Sequence, residues 1–203
     1  MSTQSTRPRT DAKARSRRWS ARDLALVAVF AAFIAVMAVA PPIAIPGNPV
    51  PITLQLLGVM LAGAVLGWKR GAAAVALMLL VGMLGLPVLP GGRPVLAALQ
   101  GPTAGYLVGW IAGAAVIGAL VQSRLPRLPL WWSVVSCLVG GVLVVYAFGV
   151  PVTAARANLS LGQALVSSFA FIPGDIIKAL VASVVAGAVH RATPGLTPPL
   201  RRR

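Results

Sequence analysis

Residues 104–121 read AGYLVGWIAGAAVIGALV, a run of eighteen residues without a charged side chain. A helix needs about 20 largely apolar residues to cross the hydrocarbon of a bilayer, so this run predicts a membrane span. Comparable apolar runs lie on both sides of it, at Arg22 to Ala40, Val50 to Leu66, Gly71 to Leu86, Leu130 to Val150 and Pro173 to Val189. The sequence therefore predicts an all-α membrane protein, a bundle of six transmembrane helices.

The composition agrees with this class, because 58% of the 203 residues are hydrophobic and only 10% are charged, whereas a soluble domain has about 25% charged residues. The formal charge of +15 could indicate nucleic-acid binding through phosphate contacts. The positions of the basic residues favour membrane topology instead, and we expect no nucleic-acid partner. Seven of them precede or begin the first apolar run: Arg7, Arg9, Lys13, Arg15, Arg17, Arg18 and Arg22.

Loop charges predict the orientation. With the basic N-terminal tail inside the cell, the inner side also receives Lys69, Arg70, Arg124, Arg127, Arg191 and Arg201 to Arg203, and only Arg93 and Arg156 fall outside. Since Lys and Arg in short loops set orientation, we expect a multi-pass protein of the cell membrane with both termini cytoplasmic. The first run could instead be a cleaved export signal, but five more apolar runs follow it.

This topology divides the chain into three parts. Residues 1–20 are polar and basic and predict a disordered cytoplasmic tail. Residues 21–192 form the predicted six-helix transmembrane substrate-binding domain, and residues 193–203 a basic cytoplasmic C-terminal tail.

Two segments on the predicted outer side are irregular. Gly85 to Pro102, between the third and fourth helices, reads GLPVLPGGRPVLAALQGP and cannot be one regular helix because proline removes backbone donors. Irregular backbone must be buried or line a cavity, since lipid would leave its polar groups unpaired. Leu161 to Phe171 predicts a short approach helix, either broken at Pro173 and Gly174 or continuous with the sixth span and kinked. We expect a pocket that opens outward.

Asp175 and Lys178 carry the strongest functional signal. They are oppositely charged residues inside a predicted span, and at i and i+3 they share one helix face. Ionisable groups inside a membrane are costly and indicate function. The alternative is structural: Asp175 could cap the helix after Pro173 and Gly174 while Lys178 pairs with it or reaches outward.

The block Gly101-Pro102-Thr103-Ala104-Gly105-Tyr106 is a second candidate binding element. Gly101 and Gly105 would permit close backbone approach, while Thr103 and Tyr106 supply hydroxyl groups beside an aromatic wall, a mixture typical of small-molecule pockets. The block could equally mark only the entry to a span with an interfacial tyrosine.

Two further polar residues are candidates on the outer side. Arg93 could bind a carboxylate or be a solvated loop charge. Gln55, near Thr53 at the start of the second span, could bond a ligand or satisfy neighbouring backbone groups.

The first span carries pairs of small residues four apart, Ala28 with Ala32 and Ala31 with Ala35. Small residues at this spacing let another helix approach closely. The partner could be a separate subunit or another helix of the same bundle.

Residue types needed for several chemistries are missing from the sequence. His190 is the one histidine and Cys137 the one cysteine, so a His/Cys metal site and a His-activated nucleophile are not expected. The sequence also lacks a GxxxxGK[ST] phosphate-binding loop. We predict no catalytic residue, no metal and no cofactor.

Four blocks, in order along the chain, resemble the BioY family, the biotin-specific S components (substrate-binding subunits) of energy-coupling factor (ECF) transporters. They are VPITLQ (Val50 to Gln55), GLPVLPGG (Gly85 to Gly92), GPTAGYLVGW (Gly101 to Trp110) and PGDIIKA (Pro173 to Ala179). Leu89 and Ala104 depart from the family pattern, which more often has Phe and Gly there.

The resemblance implies high-affinity binding and uptake of biotin, with Asp175 and Lys178 in the site. It also implies docking on a transmembrane T subunit and two ATPase subunits through surfaces such as the alanine pairs of the first span, with ATP hydrolysis by those partners. Biotin would be the transported substrate, and the chain itself no enzyme. The residues alone leave two alternatives open, a self-sufficient proton-coupled vitamin carrier and a membrane scaffold protein.

Overall fold

The computed structural model describes residues 19–200 as a helical bundle with one short β-hairpin. The α-helices are α1 (Ala21–Val36), α2 (Gln55–Leu66), α3 (Trp68–Met83), α4 (Val95–Gln100), α5 (Ala104–Gln122), α6 (Leu130–Leu138), α7 (Val145–Arg156), α8 (Leu161–Ser168) and α9 (Ile172–Ala192). The hairpin strands are β1 (Ile43–Ile45) and β2 (Asn48–Ile52). Residues 1–18, most of the predicted N-terminal tail, lie outside the described part of the chain.

Four continuous helical segments of the described chain are long and apolar enough to cross a membrane: Ala21–Val39, Ala104–Gln122, Leu130–Arg156 and Leu161–Ala192. They correspond to the first, fourth, fifth and sixth predicted spans. The second and third predicted spans are shorter helices, α2 with 12 residues and α3 with 16. At 1.5 Å per residue, α2 is about 18 Å long.

Helix α2 lies in the centre of the bundle. All of its residues except Leu57 are buried, and it packs against α1, α3, α5 and α9. The predicted second span began at Val50, but Val50 to Ile52 belong to β2. Prolines at 49 and 51 remove the amide donors that a helix needs there, so the helix begins only at Gln55.

The hairpin corrects the prediction of a purely α-helical chain. Strands β1 and β2 pair antiparallel, with Ile43 opposite Ile52 and Ile45 opposite Asn48. Gly47 turns the chain between them with a φ of 78°, a conformation that glycine adopts without steric cost.

Helix α5 approaches α7 and the turn before it closely along a line of glycines on α5. Gly105, Gly109 and Gly113 lie four residues apart, and a Cβ atom added to any of them would lie 3.0 Å or less from the segment that runs from Gly140 to Val152. Small residues let membrane helices pack backbone to backbone in this way.

The sixth predicted span is continuous with its approach helix. Leu161–Ala192 forms one helical segment of 32 residues, in which a 3-10 turn at Phe169–Phe171 joins α8 to α9. Pro173 is accommodated near the start of α9, where its missing amide is tolerated. Of the two alternatives left by the sequence, the continuous helix is therefore the one observed.

The chain ends that the structure describes meet at one end of the bundle, which we call the terminal end. Arg70 at the start of α3 joins them: its guanidinium donates to Asp23 Oδ1 at 3.0 Å, to the Leu196 carbonyl at 2.7 Å and to Thr197 Oγ1 at 2.9 Å. Thr197 is buried and donates to the Val65 carbonyl.

Gln122, the last residue of α5, adds a second link at the terminal end. Its side chain accepts a hydrogen bond from the Trp68 amide at 2.9 Å and donates one to the Pro198 carbonyl at 2.7 Å. The segment that the sequence predicts as a C-terminal tail therefore contacts the bundle through Leu196, Thr197 and Pro198. Arg201 to Arg203 lie outside the described residues.

Candidate ligand-binding site

A cavity lies at the end of the bundle opposite the terminal end. It contains about 710 Å³ of empty space, counting the part open to the outside. Apolar side chains form most of its wall. Its lining is Val50, Pro51, Ile52, Thr53, Leu56, Leu89, Pro90, Arg93, Ala98, Thr103, Tyr106, Leu107, Trp110, Val145, Tyr146, Phe171, Asp175 and Lys178.

Asp175 and Lys178 form a buried ion pair in the wall of this cavity. Lys178 Nζ donates to Asp175 Oδ1 at 2.9 Å, and the two residues are 9% and 2% exposed. Asp175 does not cap the helix, because the residue preceding α9 is Phe171 and both carboxylate oxygens bond side chains. The pair therefore places charge inside an apolar cavity rather than at a helix end.

Tyr146 is the other partner of this carboxylate, and the sequence analysis missed it. Its hydroxyl donates to Asp175 Oδ2 at 2.7 Å. A six-residue π-helical turn, Val139–Val144, immediately precedes α7 and sets the rotation at which Tyr146 meets the cavity. A signal did exist, since Tyr146 is one of only two tyrosines in the chain and lies inside an apolar run.

Three aromatic rings build one side of the cavity. Tyr106, Tyr146 and Phe171 pack edge to face in a triangle, with ring centroids 6.0 Å apart for the two tyrosines and 6.2 Å apart for each tyrosine and Phe171. Edge-to-face packing at this separation is favourable. The triangle gives a flat-sided ligand rigid apolar surfaces next to the charged pair.

The Tyr106 hydroxyl is oriented away from that pair. It lies 3.0 Å from Ser168 Oγ, which donates its own hydrogen to the Ala164 carbonyl. A serine hydroxyl has one hydrogen, so Tyr106 is the donor to Ser168. Tyr106 thus lines the cavity with its ring, while its hydroxyl ties α5 to α8.

Arg93 lies at the cavity rim, on the irregular connection between α3 and α5. Its side chain is exposed, and no carboxylate of residues 19–200 pairs with it, because Asp23 binds Arg70 and Asp175 binds Lys178. The ion pair is neutral overall. Arg93 therefore gives the cavity a net positive charge.

The remaining predicted site residues fall into two groups. Thr103 lines the cavity and donates to the Ala98 carbonyl. Gln55, Gly101 and Gly105 do not line it. Gln55 is fully buried and donates to the Ile34 and Val88 carbonyls at 3.1 and 2.8 Å, which is the backbone-satisfying role that the sequence left as its alternative.

The structure separates the two alanine pairs of α1. Ala31 is buried and Ala35 half-buried against the core, whereas Ala28 and Ala32 are exposed. Only the pair formed by Ala28 and Ala32 presents a small-residue surface to the outside.

Within residues 19–200, no three His, Cys, Asp or Glu side chains come together in a way that could hold a metal ion.

Comparison with known proteins identifies the family to which this chain belongs. The sequence model of the BioY family matches residues 9–195, which is most of the chain. The chain belongs to the BioY family. The match covers the hairpin, the irregular connection and all the residues that line the cavity.

Individual members of the BioY family align with this chain over nearly their whole length. The chain is 50% identical over 182 residues to the biotin transporter BioY of Rhizobium etli, covering 86% of this chain and 96% of that protein. It is 42% identical over 183 residues to the biotin transporter BioY of Rhodobacter capsulatus, covering 85% of this chain and 95% of that protein.

The fold of the BioY family is also known from a crystal structure. The S component for biotin from an ECF-type ABC transporter, solved at 2.1 Å, superposes with a TM-score of 0.80 at 33% identity, covering 86% of this chain and 93% of that protein. With transporters as relatives and four helices of spanning length, the chain is a membrane protein with the S-component fold.

Proposed function

We propose that this chain binds biotin with high affinity and takes it up across the cell membrane as the S component of an ECF-type ABC transporter. The observation that carries the proposal is the buried pair of Asp175 and Lys178 in an apolar cavity of a BioY-family fold. A charged pair in this position is costly to bury and is explained by a ligand that uses its hydrogen-bonding capacity.

The hydrogen-bonding capacity of the pair fits the ureido ring of biotin, which has two N–H donors and one carbonyl acceptor. A carboxylate accepts about four hydrogen bonds, and Asp175 uses one on each oxygen. Lys178 has three N–H donors and spends one on Asp175. Acceptors therefore remain for both ureido N–H groups, and ammonium donors for the ureido carbonyl.

The charge of the cavity fits the other end of biotin. The acid side chain of biotin carries a carboxylate, and Arg93 is the cation at the rim without a carboxylate partner in the described chain. In this arrangement the ureido ring lies deep, between the ion pair and the aromatic triangle, and the carboxylate lies at the rim.

Membrane topology and partners follow from the same proposal. The short helices α2 and α3 complete six crossings, and the terminal end faces the cytoplasm because it carries Arg22, Lys69, Arg70, Arg124, Arg127 and Arg191, against Arg93 and Arg156 at the cavity end. A T subunit docks on the membrane-facing side and two ATPase subunits hydrolyse ATP, so this chain needs no ATPase site of its own.

The exposed alanine pair provides a test of docking. We expect Ala28→Leu with Ala32→Leu to lower uptake by about tenfold in cells that also contain the T and ATPase subunits, because overpacking a close helix contact costs about 1–3 kcal/mol. Biotin affinity of the purified chain should not change. Ala188→Leu with Ala192→Leu alters an exposed pair of the same spacing on α9 and serves as the control. Equal uptake by both double variants would place the docking surface elsewhere.

Arg93 provides a test of ligand orientation. We expect Arg93→Gln to weaken biotin binding at least about tenfold, since a hydrogen bond to a charged group contributes about 1.5–3 kcal/mol. Binding of biotin amide, which lacks the carboxylate, should not change. Arg156→Gln is the control, because Arg156 lies at the same end but donates to the Gln100 carbonyl and does not line the cavity. A loss of affinity that is equal for both ligands would contradict the orientation.

The function itself is tested by purifying the full chain and analysing co-eluting small molecules by mass spectrometry, followed by calorimetric titration with biotin. We expect biotin to co-elute and to bind with one-to-one stoichiometry. Absence of binding by a folded, monodisperse preparation would reject the proposal.

A further inference from the structure

A second cavity opens at the terminal end of the bundle. The loop between α5 and α6 forms one wall, and the last turn of α9 with the segment that follows it forms the other. A smaller cavity between α6 and α9 adjoins it, and the two cavities share the wall residues Leu128, Gly187 and Arg191. We call the two together the basic groove.

The mouth of the groove is positively charged and lacks a compensating carboxylate. Arg127 and Arg191 line it, and both are exposed. Among residues 19–200 the two carboxylates are engaged elsewhere, Asp23 with Arg70 and Asp175 with Lys178. Arg191 also complements the dipole at the end of α9, but that role leaves the guanidinium donors free to bind an anion.

An unpartnered hydroxyl lies in the inner part of the groove. Ser133 lines the smaller cavity, is 1% exposed, and its Oγ has no hydrogen-bond partner in the described chain. Burying a hydroxyl without a partner is unfavourable. Ser183 lines the same cavity but donates to Cys137 Sγ at 3.7 Å, so it does not relieve Ser133. A ligand with a polar oxygen at this depth would give the Ser133 hydroxyl a hydrogen-bond partner.

Apolar side chains connect this interior to the outer surface of the bundle. Leu130 and Val184 line the smaller cavity and are exposed on the side of α6 and α9. Trp19, Trp68 and Trp131 are exposed at the same end, and such tryptophans are typical of the boundary between hydrocarbon and headgroups. The groove thus has its charge at headgroup level and its apolar wall toward the acyl chains.

We propose that the basic groove binds one anionic phospholipid, with the phosphate at Arg127 and Arg191, a glycerol or ester oxygen at Ser133, and an acyl chain along Leu130 and Val184. Basic pockets between helices on the cytoplasmic side are a recurrent form of anionic-lipid site. The proposal stands apart from biotin binding, because the groove and the biotin cavity share no lining residue.

The test uses the full chain purified in a neutral detergent without phosphate, titrated with dioleoylphosphatidylglycerol or dioleoylphosphatidylcholine and analysed by native mass spectrometry. We expect one phosphatidylglycerol to bind preferentially. Arg127→Gln with Arg191→Gln should weaken that binding about thirtyfold, which is about 2 kcal/mol, and leave biotin affinity unchanged. Equal retention of the two lipids by the unaltered chain would overturn the proposal.

Two controls distinguish a specific lipid site from general electrostatic attraction to the basic end of the bundle. Arg22→Gln with Lys69→Gln removes the same charge from the terminal end outside the groove, and we expect little change; a loss equal to that of the groove variant would overturn the proposal. Inorganic phosphate should not displace the lipid at millimolar concentration. Displacement would assign the basic mouth to free phosphate and overturn a lipid site.

Ser133→Ala tests the interior contact. The hydroxyl has no partner in the lipid-free chain, so we expect the thermal stability of lipid-free protein to be unchanged or higher. Phosphatidylglycerol affinity should fall several-fold. Unchanged affinity would show that no ligand oxygen reaches Ser133, and the proposed binding mode would be wrong.

Discussion

We expect Asp175→Asn to weaken biotin binding at least tenfold, about 1.4 kcal/mol. The carboxylate accepts hydrogen bonds from Tyr146 and Lys178 and is 2% exposed. An amide keeps one acceptor oxygen but loses the charge and presents N–H donors toward groups that are themselves donors. Calorimetric titration of the purified variant with biotin measures the change, and unchanged affinity would remove Asp175 from the site.

Loss of folding must be distinguished from loss of binding in this variant. Removing one member of a buried ion pair leaves the other uncompensated, which typically costs about 3–5 kcal/mol, whereas removing both is often close to neutral. We therefore expect Asp175→Asn with Lys178→Met to recover thermal stability without recovering biotin affinity. Recovery of both properties together would mean that the pair acts only on the fold.

Asp23→Asn is the matched control for the same experiment. Asp23 is the other carboxylate within the described residues, and its ion pair with Arg70 lies at the terminal end of the bundle. Its replacement should lower stability slightly, since Arg70 keeps its bonds to Leu196 and Thr197, and should leave biotin affinity unchanged.

The second large effect is expected at Gly105. A Cβ atom there would collide with the Phe148 carbonyl oxygen and lie 2.8 Å from Val152 Cβ. The colliding carbonyl belongs to the backbone and cannot rotate away, so α5 and α7 must separate. We expect Gly105→Ala to lower the free energy of unfolding by about 1–3 kcal/mol, the usual cost of overpacking. Thermal unfolding of the purified protein measures it.

Gly101→Ala is the comparison, because the two glycines lie in one sequence block and were predicted to share a role. A Cβ atom at Gly101 would have its nearest neighbour, the Ala98 carbonyl oxygen, at 3.6 Å, which is ordinary contact. We expect a change within about 0.5 kcal/mol. Equal stability of the two variants would contradict the close packing of α5 on α7.

The prediction from sequence was most accurate where the signal is local. Asp175 and Lys178 are three residues apart on one helix, so their proximity follows from helix geometry alone, and the structure confirms it. Tyr106, Thr103 and Arg93 were also assigned to the cavity that they line. That biotin is their ligand remains a proposal.

The sequence was least informative where position depends on contacts between distant segments. For Gln55 it left ligand binding and backbone bonding both open, and the side chain bonds backbone carbonyls of α1 and of the irregular connection. Tyr146 was missed because its contact with Asp175 spans 29 positions and depends on the π-helical turn before it. Nothing in the sequence near Tyr146 predicts that turn beyond the pair of glycines at 140 and 141.

The amino-acid sequence by itself determined the class of this protein and the location of its charged pair. Lipid requires long apolar runs in which backbone groups bond within their own segment, and both this requirement and the i, i+3 spacing can be recognised within a few turns of chain. The tertiary structure alone decided which face of each helix is buried: which alanines of α1 remain exposed, that Thr197 is buried, and that Tyr146 meets Asp175. These outcomes depend on how helices rotate and pack against each other, and the nearly uniform hydrophobicity of membrane helices leaves that rotation undetermined by the local sequence.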